Sequence, residues 1–216
     1  MGAPGQGLFI TLEGVDGAGK STQGARLADH LESEGAWVVR TREPGGSEGA
    51  EAIRALLVTG PTGRWSAETE LLLFTAARRD HLERTIRPAL AAGATVICDR
   101  YVDSTRAYQG LRAPALAEAV ETLHRLMIGR EADLTLLFDI DPAQAGERLA
   151  ARHAGEAGTG ETRFERRGLA FRQALRERFL ALAAAAPERV RVIDAGADAD
   201  IVAARTRAAV ADWRAG

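Results

Sequence analysis

The chain has 216 residues, 46% hydrophobic and 27% charged, with a formal net charge of -2 at pH 7. That length suffices for one good-sized core in a single domain, residues 1–216, and the balanced charge excludes the basic surplus needed for non-specific nucleic-acid binding. One cysteine, Cys98, excludes an internal disulfide and a cysteine-based zinc site, and places the chain in a reducing, cytoplasmic setting. No stretch approaches about 20 continuous apolar residues, and Met1 to Gly7 is Gly/Pro-rich without the basic and apolar regions of a signal peptide. Neither a membrane span nor a leader is expected.

Apolar runs alternate with helical periodicity along the whole chain, the pattern of a parallel sheet covered by helices on both faces. In order, the sequence predicts a strand at Leu8 to Leu12, a helix from Lys20 to Glu34 ended by Gly35, and a strand at Ala36 to Arg40. Helices follow at Ala50 to Val58 and from Ala67 to about Ala92, the second closed by Gly93. A strand at Ala94 to Cys98, a short helix at Thr105 to Gln109, a helix at Pro114 to Ile128 and a strand at Leu134 to Ile140 come next. Asp141 is the N-cap of a helix from Pro142 to Arg152, with proline at its first position. After Gly-rich His153 to Thr162, which reads as a mobile flap within a lid segment of about 148–167, the pattern gives a helix at Phe164 to Ala185. A strand at Val190 to Ile193 and a helix at Asp200 to Trp213 end the chain, for an α/β fold with a five-stranded parallel sheet in three layers and a small lid.

Gly14-Val15-Asp16-Gly17-Ala18-Gly19-Lys20-Ser21, followed by Thr22, stands between the first strand and the first helix. In that context the pattern is a P-loop: glycines let successive backbone N–H groups turn inward on an anion, and the helix adds its positive end. Lys20 can bridge the β- and γ-phosphates of ATP, while the Ser21 hydroxyl can hold Mg²⁺. Lys20 is the only lysine among 28 basic residues, so the compact ammonium has been kept where phosphate chemistry wants it. The chain has no asparagine and so cannot contain the Asn-Lys-x-Asp guanine-reading motif of a GTPase, and a nucleic-acid motor would show a second core or a basic track.

Further motifs accompany the loop: TREPGG (Thr41 to Gly46), an IRxLL stretch (Ile53 to Leu57), FTAAR (Phe74 to Arg78) and DRYVDSTRAYQG (Asp99 to Gly110). With FITLEGVDGAGKST around the P-loop, they resemble the bacterial thymidylate kinases from about Leu8 to Trp213. The resemblance implies a three-layer P-loop NTPase fold and transfer of the γ-phosphoryl of ATP to the 5′-phosphate of dTMP. It implies a deoxyribose contact for Asp16, which also orients an arginine, and a dTMP 5′-phosphate held by Arg54 and Arg100, with Glu43 joining that network. Phe74 and Arg78, i and i+4 on one helix face, present an aromatic plane and a donor fork to one base. By resemblance they stack on thymine and donate to its O4. Ser104, Tyr108 and Gln109 fall beside the nucleotide, Tyr108 filling the space of a ribose 2′-OH, and Asp99 joins Ser21 in organising Mg²⁺. Thr75 stands where some relatives have Tyr. The family usually forms a homodimer, and apolar positions beyond one buried stripe on Ala67 to Ala92 and Pro114 to Ile128 fit one here.

Arg148, Arg152, Arg163, Arg166 and Arg167 flank the flap or lie just beyond it. The resembling enzymes supply a charge-neutralising arginine from the P-loop or from the lid, and the variable P-loop positions here carry none, which makes this chain the lid type. Arg163, in Arg-x-Glu, is the first candidate and Arg152 the second. With Lys20, Arg100 and Asp16 they form the expected catalytic set. An acceptor phosphate is already dianionic near neutral pH, its second pKa being about 6, so no general base is needed. A kinase for another acceptor such as dUMP, a deoxynucleoside kinase and a non-catalytic ATP-binding module are the rivals. Phosphate-clamping arginines argue against the second, and a base-shaped second subsite against the third.

Overall fold

The computed structural model describes residues 7–61, 63–155 and 168–215. Five strands, β1 (Phe9–Glu13), β2 (Val38–Arg42), β3 (Thr95–Asp99), β4 (Leu134–Asp139) and β5 (Val190–Asp194), form one parallel sheet in the order β2-β3-β1-β4-β5. The helices are α1 (Lys20–Ser33), α2 (Glu48–Val58), α3 (Ala67–His81), α4 (Arg87–Ala91), α5 (Val102–Arg112), α6 (Ala117–Leu123), α7 (Pro142–Gly155), α8 (Leu169–Ala185) and α9 (Ala199–Ala215). The expected five-stranded α/β architecture is present.

Central strands β1, β3 and β4 are sealed on both faces, which is why they read as continuous apolar runs. One core cluster, including Leu12, Leu27, Ile97, Leu136, Phe138 and Phe179, lies between the sheet, α1, α8 and α9. A second, with Phe9, Leu82, Ile86, Val96 and Tyr101, covers the opposite face. The chain turns one way from β1 to reach β2 and β3 and the other way to reach β4 and β5. Such a reversal opens a crevice at the carboxyl ends of the strands. Register places Leu12 opposite Asp99 and Glu13 opposite Leu137, so the loops leaving β1 and β3 emerge side by side.

Several boundaries depart from expectation. Strand β2 is Val38–Arg42 rather than Ala36 to Arg40, because this edge strand takes its register from β3, with Arg42 paired to Asp99, and not from its own apolar residues. Helix α5 begins at Val102, three residues before the expected start, for a reason given below. The long middle helix widens into a π-helical turn at Leu82–Ile86, immediately before Pro88, which cannot donate to the preceding turn. A second such turn, His124–Ile128, follows α6. Finally, α7 runs through Gly155, so the first residues of the expected lid are helical, and the remainder of that segment, 156–167, lies outside the described residues. Asp141 caps α7 as expected, its carboxylate accepting from Ala143 N at 2.8 Å.

Candidate active site

The loop after β1 wraps back on α7. At Gly17, φ is 89° and a Cβ would sit 2.1 Å from the Ala145 carbonyl oxygen, so only glycine allows the approach. Lys20 is buried, its Nζ donating to Gly14 O at 3.1 Å and Val15 O at 3.0 Å, with Asp16 Oδ1 at 3.9 Å. Burial, and then the charge of Arg100, lower its pKa, while Asp16, Asp99 and Glu13 oppose that shift. Ser21 and Thr22 open α1 in exposed positions, and Ser21 Oγ donates to Asp99 Oδ2 at 2.5 Å.

Arg100 leaves β3 with φ 73°, a left-handed conformation uncommon for a residue with a side chain. Its N–H donates to Leu12 O at 2.9 Å, which ties the turn to β1. The guanidinium reaches across to the P-loop, with Nη2 donating to Asp16 Oδ1 at 2.5 Å and Nη1 to Ser104 Oγ at 2.9 Å. Burial opposes ionisation of Asp16, but Arg100 and Lys20 prevail and hold its carboxyl down at about 2. Tyr108 OH adds a donor to Asp16 Oδ2 at 3.3 Å.

Glu13, the last residue of β1, is the group that sequence reasoning missed here. Its Oε1 accepts from Tyr101 N at 2.8 Å and Ser104 N at 3.1 Å, and its Oε2 accepts from Ser104 Oγ at 2.6 Å. A carboxylate on a strand thus satisfies the first N–H groups of α5, which explains why that helix starts early. The available signal was a single ionisable residue closing an otherwise uncharged strand, FITLE. Burial, reinforced by nearby Asp103, pushes this carboxyl up to about 7 against the pull of Arg100, the Ser104 hydroxyl and the Tyr101 N–H.

Beside the P-loop lies a cavity of about 240 Å³. All nine residues expected to meet an acceptor line it: Asp16, Glu43, Arg54, Phe74, Arg78, Arg100, Ser104, Tyr108 and Gln109. Ser21 and Asp99 line it too, together with Arg42, Tyr101 and Thr105, which lie within the motifs but were assigned no role there. Arg54 Nη1 donates to Pro44 O at 2.7 Å. Arg78 is buried, donating from Nε to Glu43 Oε2 at 2.7 Å and from Nη2 to Thr105 Oγ1 at 2.9 Å. Gln109 is buried with Nε2 directed at Glu70 Oε2, 3.4 Å away, and its Oε1 has no hydrogen-bond partner among the described residues. Thr75 does not line the cavity, and its hydroxyl donates to Leu71 O at 2.8 Å.

The lid arginines divide. Arg163 lies outside the described residues, as do Arg166 and Arg167. Arg152 is exposed near the end of α7. Arg148 is turned from the crevice to the loop after β5, donating to Ala195 O at 3.0 Å and Ala197 O at 3.2 Å, and so anchors α7. No group of three or more His, Cys, Asp or Glu side chains able to hold a metal occurs among the described residues. The adjacent Ser21 hydroxyl and Asp99 carboxylate do suit Mg²⁺, which commonly takes one or two protein oxygens and completes its shell with phosphate and water.

An anion cradle joined edge to edge with a cavity lined by arginines and an aromatic ring is the arrangement of a P-loop phosphotransferase. The family model described as thymidylate kinase matches residues 12–205. Similar proteins include the thymidylate kinase of Jannaschia sp. (strain CCS1), 58% identical over 196 residues, covering 91% of this chain and 92% of the relative. The thymidylate kinase of Ruegeria pomeroyi is 58% identical over 200 residues, covering 93% and 92%. The crystal structure of thymidylate kinase from Ehrlichia chaffeensis matches with a TM-score of 0.74 at 32% identity, covering 95% of this chain and 98% of that one. The chain belongs to the thymidylate kinase family, whose members are nucleoside monophosphate kinases.

The position of Glu13 gives a pH prediction. Its folded pKa is raised from an ordinary 4.5 to about 7, so its contribution to stability is complete below 4.5 and is lost as pH rises through 7. Glu13→Gln stays neutral and keeps an acceptor for Tyr101 N and Ser104 N. Between pH 5 and 7 the melting temperature of the variant is expected to gain on that of the parent. Parallel melting curves across that range would contradict the assignment.

Proposed function

We propose that this chain transfers the γ-phosphoryl group of ATP to the 5′-phosphate of dTMP, giving dTDP and ADP. One observation carries the reading. A single cavity against the P-loop is lined both by two arginines suited to a phosphate, Arg54 and Arg100, and by a base-reading set, Phe74, Arg78 and Gln109. The base set has a polarity. Arg78 can only donate, whereas Gln109, at the cavity wall, turns its amide nitrogen toward Glu70 and keeps a buried Oε1 without a hydrogen-bond partner among the described residues. Thymine presents the complement, an O4 acceptor beside an N3–H donor. Cytosine presents the reverse, an amino donor beside a bare N3, and would face donor with donor.

In this mechanism Lys20 exchanges its carbonyl partners in the P-loop for ATP phosphate oxygens, and Arg54 and Arg100 hold the acceptor dianion. Asp16, kept ionised by Arg100 and Lys20, orients that arginine and accepts from the sugar hydroxyl. Tyr108, bonded to Asp16, occupies the space beside the sugar. No residue removes a proton, because the attacking phosphate oxygen is already ionised. Mg²⁺ held by Ser21 and Asp99 would neutralise charge on the donor phosphates. A lid arginine, Arg163 first and Arg152 second, completes the cancellation of charge, a contribution that can reach ~10³ to 10⁵ in rate.

The test is ADP release from ATP-Mg with dTMP, dUMP, dCMP, AMP and thymidine as acceptors. Strong turnover with dTMP, with dCMP and thymidine inert, is the expected result. Turnover with thymidine but not dTMP would overturn the phosphate-clamp assignment.

A homodimer is proposed on a separate observation. Leu72 on α3 and Leu126 on the His124–Ile128 turn are 58% and 63% exposed, large apolar side chains on elements that pack together. Sedimentation equilibrium is expected to give a dimer that Leu72→Arg dissociates. A wild-type chain that stays monomeric at tens of micromolar would refute it.

A further inference from the structure

Helix α3 carries Phe74, Arg78 and His81 at i, i+4 and i+7, which is one face. The first two line the cavity, while His81 lies behind them with none of its surface exposed. A sealed imidazole must satisfy both ring nitrogens. Nδ1 lies 3.2 Å from Glu43 Oε1, and Nε2 lies 2.7 Å from Thr41 Oγ1. An ionised carboxylate only accepts, so Nδ1–H donates to Glu43, and in a neutral ring Nε2 accepts from the Thr41 hydroxyl.

Glu43 spends its other oxygen on Arg78, whose Nε donates to Oε2 at 2.7 Å. Arg78 is further fixed by Thr105 and by the Tyr101 ring, whose centroid lies 5.1 Å from the guanidinium carbon. The pose of the guanidinium is therefore set by Glu43, and the second oxygen of Glu43 is held by His81. The surrounding loop is closed on this ring. A Cβ at Gly46 would lie 2.3 Å from His81 Nε2 and 2.4 Å from Thr41 Oγ1, and Gly46 has φ 88°. The same loop offers the Pro44 carbonyl that positions Arg54.

We propose that His81 is a positioning residue for acceptor recognition: it locks Glu43, Glu43 locks Arg78, and selection of the acceptor base depends on a ring that does not touch it. The proposal rests on the dTMP reading above and adds to it a residue outside the cavity. A polar relay serves here better than apolar packing, because a buried guanidinium left with a mobile carboxylate would lose the fixed direction that tells O4 from an amino group.

The test uses two amides of different reach. His81→Asn places its amide near the position of Nδ1 and can still donate to Glu43, whereas His81→Gln places it near Nε2 and abandons Glu43. Binding of dTMP is measured by calorimetry, with kcat and KM for dTMP, dCMP and ATP. His81→Gln is expected to weaken dTMP binding roughly tenfold. It should also narrow the dTMP over dCMP ratio and leave the KM for ATP unchanged, while His81→Asn stays close to wild type. In an Arg78→Ala background the same change should cost nothing further, since both act through one guanidinium.

An unchanged dTMP affinity, parallel losses for dTMP and ATP, equal damage in both amide variants, or full additivity with Arg78→Ala would each overturn the relay. Should His81→Gln not fold, Thr41→Val keeps the ring and removes only its outer anchor. It is expected to shift dTMP binding in the same direction, and no shift would count against the proposal. Failure of the wild-type enzyme to bind dTMP would overturn the parent reading as well, and shows before any variant is made.

Discussion

The ion pair between Asp16 and Arg100 is the contact on which the site depends. Asp16 belongs to the loop after β1 and Arg100 to the turn after β3, residues far apart in the chain but adjacent because β1 and β3 pair in parallel. The Arg100 N–H bonded to Leu12 O brings the two loops within reach, and the left-handed φ of Arg100 aims its side chain back over the P-loop. Through Ser104 and Glu13 the same arginine is tied to the start of α5, and through Asp16 to Tyr108. The P-loop and the cavity are thereby joined through one hydrogen-bonded network.

Concentrating charge in a buried place is costly unless each group is paired, and the pairing here is dense. Lys20, Arg100, Asp16, Asp99 and Glu13 stand within one another's fields, and at Asp16 the neighbouring cations outweigh the cost of burial. Lys20 and Glu13 are the exceptions: burial outweighs pairing at both, lowering the pKa of the ammonium and raising that of the carboxyl, which caps α5. Two arginines of the site use the fork of the guanidinium. Arg78 meets Glu43 and Thr105, and Arg100 meets Asp16 and Ser104, from one planar group each. The P-loop alone needs a point charge, and there the single lysine stands.

What could be read from the sequence follows from locality. The P-loop was legible because its glycines, lysine and flanking strand are contiguous. Strands β1, β3 and β4 were legible because burial on both faces writes an unbroken apolar run. Strand β2 was misframed by two residues, since an edge strand takes its limits from its neighbour. Helix α5 was cut short because its cap is supplied by Glu13, distant in sequence. Resemblance to the family assembled the nine residues expected at the acceptor, and every one of them lines the cavity. It did not supply Glu13, Thr105 or His81, whose roles are to hold other residues. His81 lies three positions beyond Arg78 on the same helix face, a spacing visible in the sequence, but its partners Thr41 and Glu43 come from the end of β2 and the loop after it.

The central claim is that two nucleotide sites share one edge of the sheet and are filled together. The direct measurement is calorimetric titration of dTMP into the enzyme, alone and saturated with a non-hydrolysable ATP analogue and Mg²⁺. The account predicts one dTMP per chain in both titrations, with affinity retained or increased when the analogue is bound. Loss of dTMP binding in the presence of the analogue would mean that the two compete for one site, and would contradict it.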